Sequence, residues 1–386
     1  MRRAAQERPY PASPPGVWQG WRRLHRWIGL VAGAVLLLCA TTGLWLAIAG
    51  PQETRRLSAL CGEAHAGVTL QRLADAVAAD KGPLQSLTLR LPDGERACVT
   101  AFVRTPAWQG ELFLDPATGA VVARREQGQG LHGLIFELHG NLLLGDTGKA
   151  ALALAGAAFA ALLVSGTLMW WPLRWGQALR VRLRAGPRAA LAGGHRAAGV
   201  LLGVVVLASA ASGAYIAWRP LAVWVNALAG TPRQPPPALP VAAAEAPEVA
   251  QAGSAVPGPA SPALAPLDEL ARAAAWPQAA QARLVDVGVA VGRPGPVRLR
   301  YRLAGDPHPN GQSYVWVDPR HAHVLRRQRW DRSDLGARLQ GWLYAYHSGR
   351  LWGLPHTALL VLAGAALTWF VMSGPLLWAL RQRARA

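Results

Sequence analysis

Four histidines stand at the edges of long apolar stretches in this chain, and their spacing sorts them into two pairs. His139 and His347 lie 208 places apart, and the same offset superimposes Gly145 on Gly353, Ser165-Gly166 on Ser373-Gly374, and Trp170 on Trp378. His25-Arg26 and His195-Arg196 lie 170 apart, an offset that also lays Gly43 on Gly213. Two neutral imidazoles facing each other across a helix bundle are suitable axial ligands for a haem iron. Histidine at a helix end also suits the polar headgroup region, as Trp and Tyr do. The repeated placement favours the ligand reading: one pair near one membrane face and one near the other.

The elements that must position these residues are membrane helices. Over half of the chain's residues (52%) are apolar, and they concentrate in four runs at 27–49, 150–171, 197–218 and 357–380. Each is long enough to cross a hydrocarbon core of about 30 Å, which takes about 20 helical residues. Arginines cluster between and beside these runs. Arg2, Arg3, Arg8, Arg22, Arg23 and Arg26 precede the first, Arg174, Arg180, Arg182, Arg184, Arg188 and Arg196 separate the second from the third, and Arg381, Arg383 and Arg385 follow the fourth. By the positive-inside rule the tail 1–26, the loop 172–196 and the tail 381–386 are expected in the cytoplasm. The loops 50–149 and 219–356 then face outward, as expected for a bacterial inner-membrane protein. Basic clusters of this kind set topology, and nucleic-acid binding is not expected.

The outer loops resemble each other. The first holds an amphipathic helix pattern, TLQRLADAVAADKG, then strand-like segments and the hairpin ELFLDPATGAVVARRE. The second holds PLDELARAAAWPQA, then RLVDVGVAV, VRLRYRL and SYVWVDPRHAHVLRRQRW. Asp115-Pro116 answers Asp318-Pro319, but DPRHAH lacks the turn glycine of DPATGA. A Pro/Ala-rich linker, 231–266, precedes the second module. The fold expected is a four-transmembrane-helix bundle from a duplicated two-helix unit, carrying two periplasmic α+β modules. With two spans per repeat the copies run parallel, about an axis along the membrane normal.

Further candidates are less constrained. His132 and His356 are alternates for the outer ligand pair, although their repeat partners are Gln340 and Gly148. His65, His308, His321 and His323 fall in the outer loops. Cys61 and Cys98 share one outer loop, where the compartment permits a disulfide, and two unpaired cysteines are equally compatible with the sequence. Cys61 and His65 form CxxxH, not the CxxCH of covalent haem attachment. The apolar runs contain no Asp or Glu relay of the kind ion-coupled carriers use. Arg300, Arg302, Arg326, Arg327 and Arg329 could attract anionic chelates.

The segments LHRWIGLVAG…TTGLWL, ELHGNLLLGDTG…SGTLMWW, GHRAAGVLLG…SGAYIAW and YHSGRLWGLP…SGPLLW resemble the PepSY-associated transmembrane family, and the outer modules resemble PepSY domains. That resemblance covers nearly the whole chain. It implies an oxidoreductase of the ferric-siderophore reductase type with two haem b groups, held by the matching residues His25, His195, His139 and His347. A separate cytoplasmic electron donor and a periplasmic ferric siderophore would be its partners. Two other readings stay open: a haemless membrane protein binding a periplasmic peptide or protein, and a dihaem carrier with another acceptor such as a quinone.

Overall fold

The computed structural model describes residues 15–62, 67–170, 179–231, 235–239, 265–277, 282–290 and 295–383. His65, most of the linker 231–266, and the arginines of the extreme N-terminal tail lie outside them. The described chain divides into two compact units, one of helices and one built on a sheet.

The helical unit contains four helices long and apolar enough to cross a membrane. These are α1 (Pro15–Ser58), α4 (Gly145–Trp170), α5 (Pro187–Ala217) and α9 (Leu354–Arg383). At 1.5 Å per residue α1 is about 66 Å long, so it outreaches the expected span 27–49 at both ends. Helix α5 packs against both α4 and α9. The centre is a small apolar core of Leu36, Ala40, Ala155, Phe159, Val206, Ala363, Ala366 and Leu367. Val31, Leu154, Leu201 and Val204 point outward and are 63–78% exposed. Apolar side chains on the outside of a bundle fit a lipid solvent, and a helix apolar all round is a membrane element.

The short helix α3 (Gly130–Asn141) delivers the chain to α4. The motif LLLGDTG between them is a tight reversal in which Leu142, Leu143 and Gly145 all take positive φ. Gly148 then lies so close to the end of α3 that a Cβ there would overlap the Asn141 carbonyl oxygen. The motif therefore fixes where α3, and with it His139, meets the bundle.

The second unit is one antiparallel eight-stranded sheet in the order β4-β3-β2-β1-β5-β6-β7-β8. Strands β1 (Ser86–Arg90), β2 (Val99–Arg104), β3 (Gln109–Leu114) and β4 (Val121–Glu126) come from the first outer loop. Strands β5 (Ala282–Ala290), β6 (Val297–Leu303), β7 (Ser313–Val317) and β8 (Val324–Gln328) come from the second. The sequence reads two modules; their strands share one sheet, joined where β1 pairs with β5 from Ser86↔Ala290 to Arg90↔Asp286. Strand alternation sends Leu87, Leu89, Val99, Ala101, Leu112, Val297, Leu299 and Val315 to one face. Helices α2 (Leu70–Lys81) and α7 (Leu267–Ala273) cover that face through Leu73, Val77 and Leu270. The other secondary elements of note are α6 (Arg219–Leu228) and α8 (Leu335–His347). Cys61 and Cys98 form a disulfide with a Cα–Cα distance of 5.3 Å, tying the chain after α1 to the start of β2.

Candidate cofactor site in the helical unit

His25 on α1 and His195 on α5 face each other, with ring centroids 6.4 Å apart and planes at 78°. An imidazole nitrogen sits roughly 1 Å from its ring centroid and a metal–nitrogen bond is about 2 Å. Two imidazoles on opposite sides of one metal therefore have centroids roughly 6 Å apart, and the observed separation fits that gap. The angle between the planes is free in such an arrangement, because both rings contain the ligand–metal–ligand axis.

The protonation of these rings follows from their partners. His25 Nδ1 lies 2.9 Å from Ser165 Oγ, and His195 Nδ1 lies 2.8 Å from Ser373 Oγ. Both hydroxyls are fully buried. A hydroxyl has one proton, and each serine donates its own to the preceding turn of its helix, at Leu162 O (3.2 Å) and Phe370 O (3.4 Å). With its proton directed there, each Oγ is free to accept from Nδ1–H, and a neutral imidazole protonated at Nδ1 keeps its lone pair on Nε2. That is the tautomer a metal requires, and an outer hydrogen bond of this kind also fixes the ring's orientation.

His139 is held by the same device at another level of the bundle. Its Nδ1 lies 3.1 Å from Thr42 Oγ1, which donates to Leu38 O at 2.6 Å. Thr42 follows His25 by 17 residues on α1, so the two levels are about 25 Å apart along the helix. The glycine after Thr42 makes room: a Cβ on Gly43 would stand 2.8 Å from His139 Cε1. Gly166, after Ser165, does the same for His25, where a Cβ would stand 3.2 Å from Cε1. The sequence leaves the span glycines two equal uses, close helix packing or room for a flat macrocycle. At Gly43 and Gly166 their neighbour is the candidate ligand itself.

Between the two levels the bundle core is apolar. Phe370 stands edge-on to His195 with centroids 5.4 Å apart, and Phe159 lies 6.4 Å beyond it. Charged side chains are absent from this core among the described residues.

The remaining predicted residues fall elsewhere. His347 is the last residue of α8, half-buried, in the sheet unit. His356, one turn into α9, is 1% exposed with its ring 5.1 Å from Trp352. His132 opens α3 within the sheet unit, half-buried, and burial beside Arg125 lowers its pKa. His321 and His323 are exposed on the β7–β8 hairpin, where His321 Nδ1 donates to Asp318 at 3.2 Å. Groups of three or more His, Cys, Asp or Glu side chains placed to hold a metal are absent among the described residues. The serines and the threonine that hold the histidines were not singled out from sequence, although Ser165 and Ser373 sit inside the 208-place match.

The model of the PepSY-associated TM region matches residues 22–381, nearly the whole chain, and the chain belongs to this family. No curated protein matches it significantly. Four apolar helices and the family together make it a membrane protein.

Proposed function

We propose that this family member is a haem-containing inner-membrane reductase that carries electrons from the cytoplasmic side to a ferric siderophore on the outer side. The observation that carries the reading is the His25–His195 pair, with ring centroids 6.4 Å apart and each Nδ1 hydrogen-bonded to a buried serine, Ser165 or Ser373. His25 and His195 would hold one haem, and His139, held by Thr42, would ligate a second. Bound haem supplies one-electron chemistry at iron.

The chain's own residues do the rest. Ser165, Ser373 and Thr42 aim their histidines and keep Nε2 unprotonated. Phe159, Phe370 and the surrounding aliphatic core exclude water between the two levels. Outside the membrane, a ferric siderophore that accepts one electron goes from Fe(III) to Fe(II), whose weaker affinity for hard oxygen ligands frees the metal. The topology is compatible with a single domain on one side of the membrane. A single sheet that draws β1–β4 from before α4 and β5–β8 from after α5 needs an even number of crossings between them. The arginines flanking the spans assign the opposite side to the cytoplasm. The paired His–Ser bonds likewise favour a duplicated two-helix unit.

A dithionite-reduced minus oxidised absorption spectrum of the detergent-purified protein, with haem counted per chain, tests the reading. Sharp α and Soret bands at about two haems per chain support it. A colourless protein after expression with ample haem would leave a haemless PepSY membrane protein that binds a periplasmic peptide or protein. Haem without ferric-siderophore reduction would redirect the search to another acceptor, such as a quinone.

A further inference from the structure

Strand β6 reads VRLRYRL, and its alternation places Val297, Leu299, Tyr301 and Leu303 in the core beneath α2 and α7. Arg298, Arg300 and Arg302 consequently share the opposite face, about 6.6 Å from one to the next along the strand. The row continues sideways. Arg90 of β1 pairs across β5 Asp286 with Arg300. The corresponding face of β2 carries Thr100 and Phe102.

Guanidiniums crowded in this way repel one another unless anions intervene, and the anions present fall short. Asp286, side chain 2% exposed, reaches Arg298 at 3.5 Å and Arg300 at 3.7 Å, both long contacts. Glu95 is engaged by Arg350 at 3.1 Å, and Asp93 by Arg96 at 3.3 Å. Asp306 turns both oxygens to backbone N–H groups, of His308 and Gln312. Arg90 Nε is buried and makes no hydrogen bond. Arg302 is exposed, and no acid forms an ion pair with it among the described residues. Arg90 is pushed below its ordinary pKa by burial first and then by Arg96 and Arg300, with Asp286 opposing.

The row is also braced. Arg90 lies over Phe102 at 4.5 Å, and Arg298 and Arg300 lie 5.9 and 5.7 Å from the Tyr314 ring. Arg300 Nε donates to Gly311 O at 2.7 Å, pinning the β6–β7 loop, whose His308 stacks on Tyr344 at 4.3 Å. Arg96 holds the same loop through Asn310 at 3.3 Å. The equivalent turn between β2 and β3 is only the short Thr105–Trp108 segment, so this cradle exists on one half of the sheet. Stacked, pre-positioned guanidiniums lose little freedom on meeting carboxylates.

We infer that this face binds a compact polyanion, a carboxylate-bearing Fe(III) chelate, through Arg90, Arg298 and Arg302 with Arg350 at the rim. Strand β5 separates β1 from β6, so Arg90 stands about 10 Å from the β6 row, and Arg298 and Arg302 lie about 13 Å apart along their strand, distances that long arginine side chains close onto several carboxylates around one metal complex. Neutral or cationic trihydroxamate chelates find no complementary charge here. That the anion is an iron chelate rests on the reductase reading; that the face binds a polyanion does not.

Gallium(III) complexes test this without any electron transfer, since gallium is not reduced. Isothermal titration of the full chain in detergent would compare gallium(III) citrate with a gallium trihydroxamate. The wild type should bind the citrate complex, more weakly as salt rises, and prefer it over the trihydroxamate. R90Q and the R298Q/R302Q pair should each weaken binding about tenfold or more, and R302E, an exposed reversal that spares the fold, more than R302Q. No citrate-complex binding, equal binding of both complexes, or binding indifferent to R302E overturns the inference. The haem spectrum reads the reductase proposal separately, so the failure of one is distinguishable from the failure of the other.

Discussion

Gln71 and Asp268 cap each other's helices. The Asp268 carboxylate at the start of α7 accepts the backbone N–H groups of Leu70 and Gln71 at 2.9 and 3.0 Å. Gln71 Oε1, at the start of α2, accepts Leu267 N–H at 3.1 Å. The first turn of a helix has N–H groups without intrahelical partners, and here each helix supplies the other's acceptor. The two helices come from separate outer loops, so the exchange locks the two halves of one domain together. Replacing Asp268 with Ala leaves two donors unmet and removes a charge favourable to the helix dipole. It should cost about 1 kcal/mol or somewhat more, and Asp268→Asn less, read as a fall in the thermal midpoint of the outer domain.

On the haem reading proposed above, removing the buried hydroxyls beside the histidines should loosen the cofactor without abolishing its site. Ser165→Ala or Ser373→Ala frees the ring to rotate and to exchange tautomers. Outer-sphere losses of this kind typically weaken metal affinity about 10–100-fold. Haem content at limiting haem and the reduction midpoint should both shift, with Thr back-substitution restoring them. His25→Ala or His195→Ala should remove one haem outright. Unchanged midpoints in both serine variants would show that the hydroxyls do not set the ligands.

Gly43→Ala should displace His139, because the new methyl would stand 2.8 Å from Cε1. Gly374→Ala is the matched control: a Cβ there meets nothing within 4 Å, and Ala is the better helix former by about 1 kcal/mol. On the same haem reading, the first variant should lose the haem held at the His139 level and the second should keep full haem content.

The β7–β8 hairpin carries a measurable strain. Ala322 takes φ 54°, the position that Gly119 fills at φ 78° in the β3–β4 hairpin. Left-handed backbone costs a non-glycine residue about 1 kcal/mol. Ala322→Gly should therefore raise the stability of the sheet domain by roughly that amount, and Gly119→Ala should lower it.

His308 gives the outer domain an acid-sensitive element. Burial, followed by Arg300, Arg90, Arg302 and Arg350, lowers its pKa to about 3. Its Nδ1 accepts Asn310 N–H at 3.0 Å, so the neutral ring is the native form. The unfolded chain takes up a proton near pH 6.5 while the folded chain does not, so stability falls as pH drops below about 6.5. The slope approaches about 1.4 kcal/mol per pH unit until the folded pKa is reached. Asp306, raised by burial, opposes this between the ordinary carboxylate value and its own raised pKa. His308→Asn keeps the acceptor and should flatten the slope between pH 6.5 and 5 in a denaturation series.

The sequence disclosed what has a period or a repeat. The four spans are continuous apolar runs, Leu70, Leu73 and Val77 mark α2, and the Asp-Pro hairpins announce β3–β4 and β7–β8. The His25–His195 pairing followed from a single fixed offset of 170 places. Other features are set by partners far along the chain, where no local pattern reaches. Ser165 meets His25 across 140 residues, and β1 meets β5 across nearly two hundred. His308 reads as a loop histidine until Arg300 and Tyr344 close over it. Of the five arginines read as a chelate attractor, Arg326 lies over Trp316 and donates to Pro235 O. Arg327 binds the carbonyls of Ala273 and Ala275, and Arg329 pairs with Asp331. Their charge was legible, and their engagement was not.

The β1–β5 junction sets a timetable for making the protein. Strand β1 reaches its partner only after the ribosome has added 196 further residues, from Ser86 to Ala282, including α4 and α5. At 5–20 residues per second that interval is roughly 10–40 s. Throughout it the first four strands present an open, unpaired edge, the feature through which sheets mispair with other chains. Thr88 and Arg90 put polar side chains along that waiting strand. The newborn half-sheet must be shielded, or kept unfolded, until its second half has crossed.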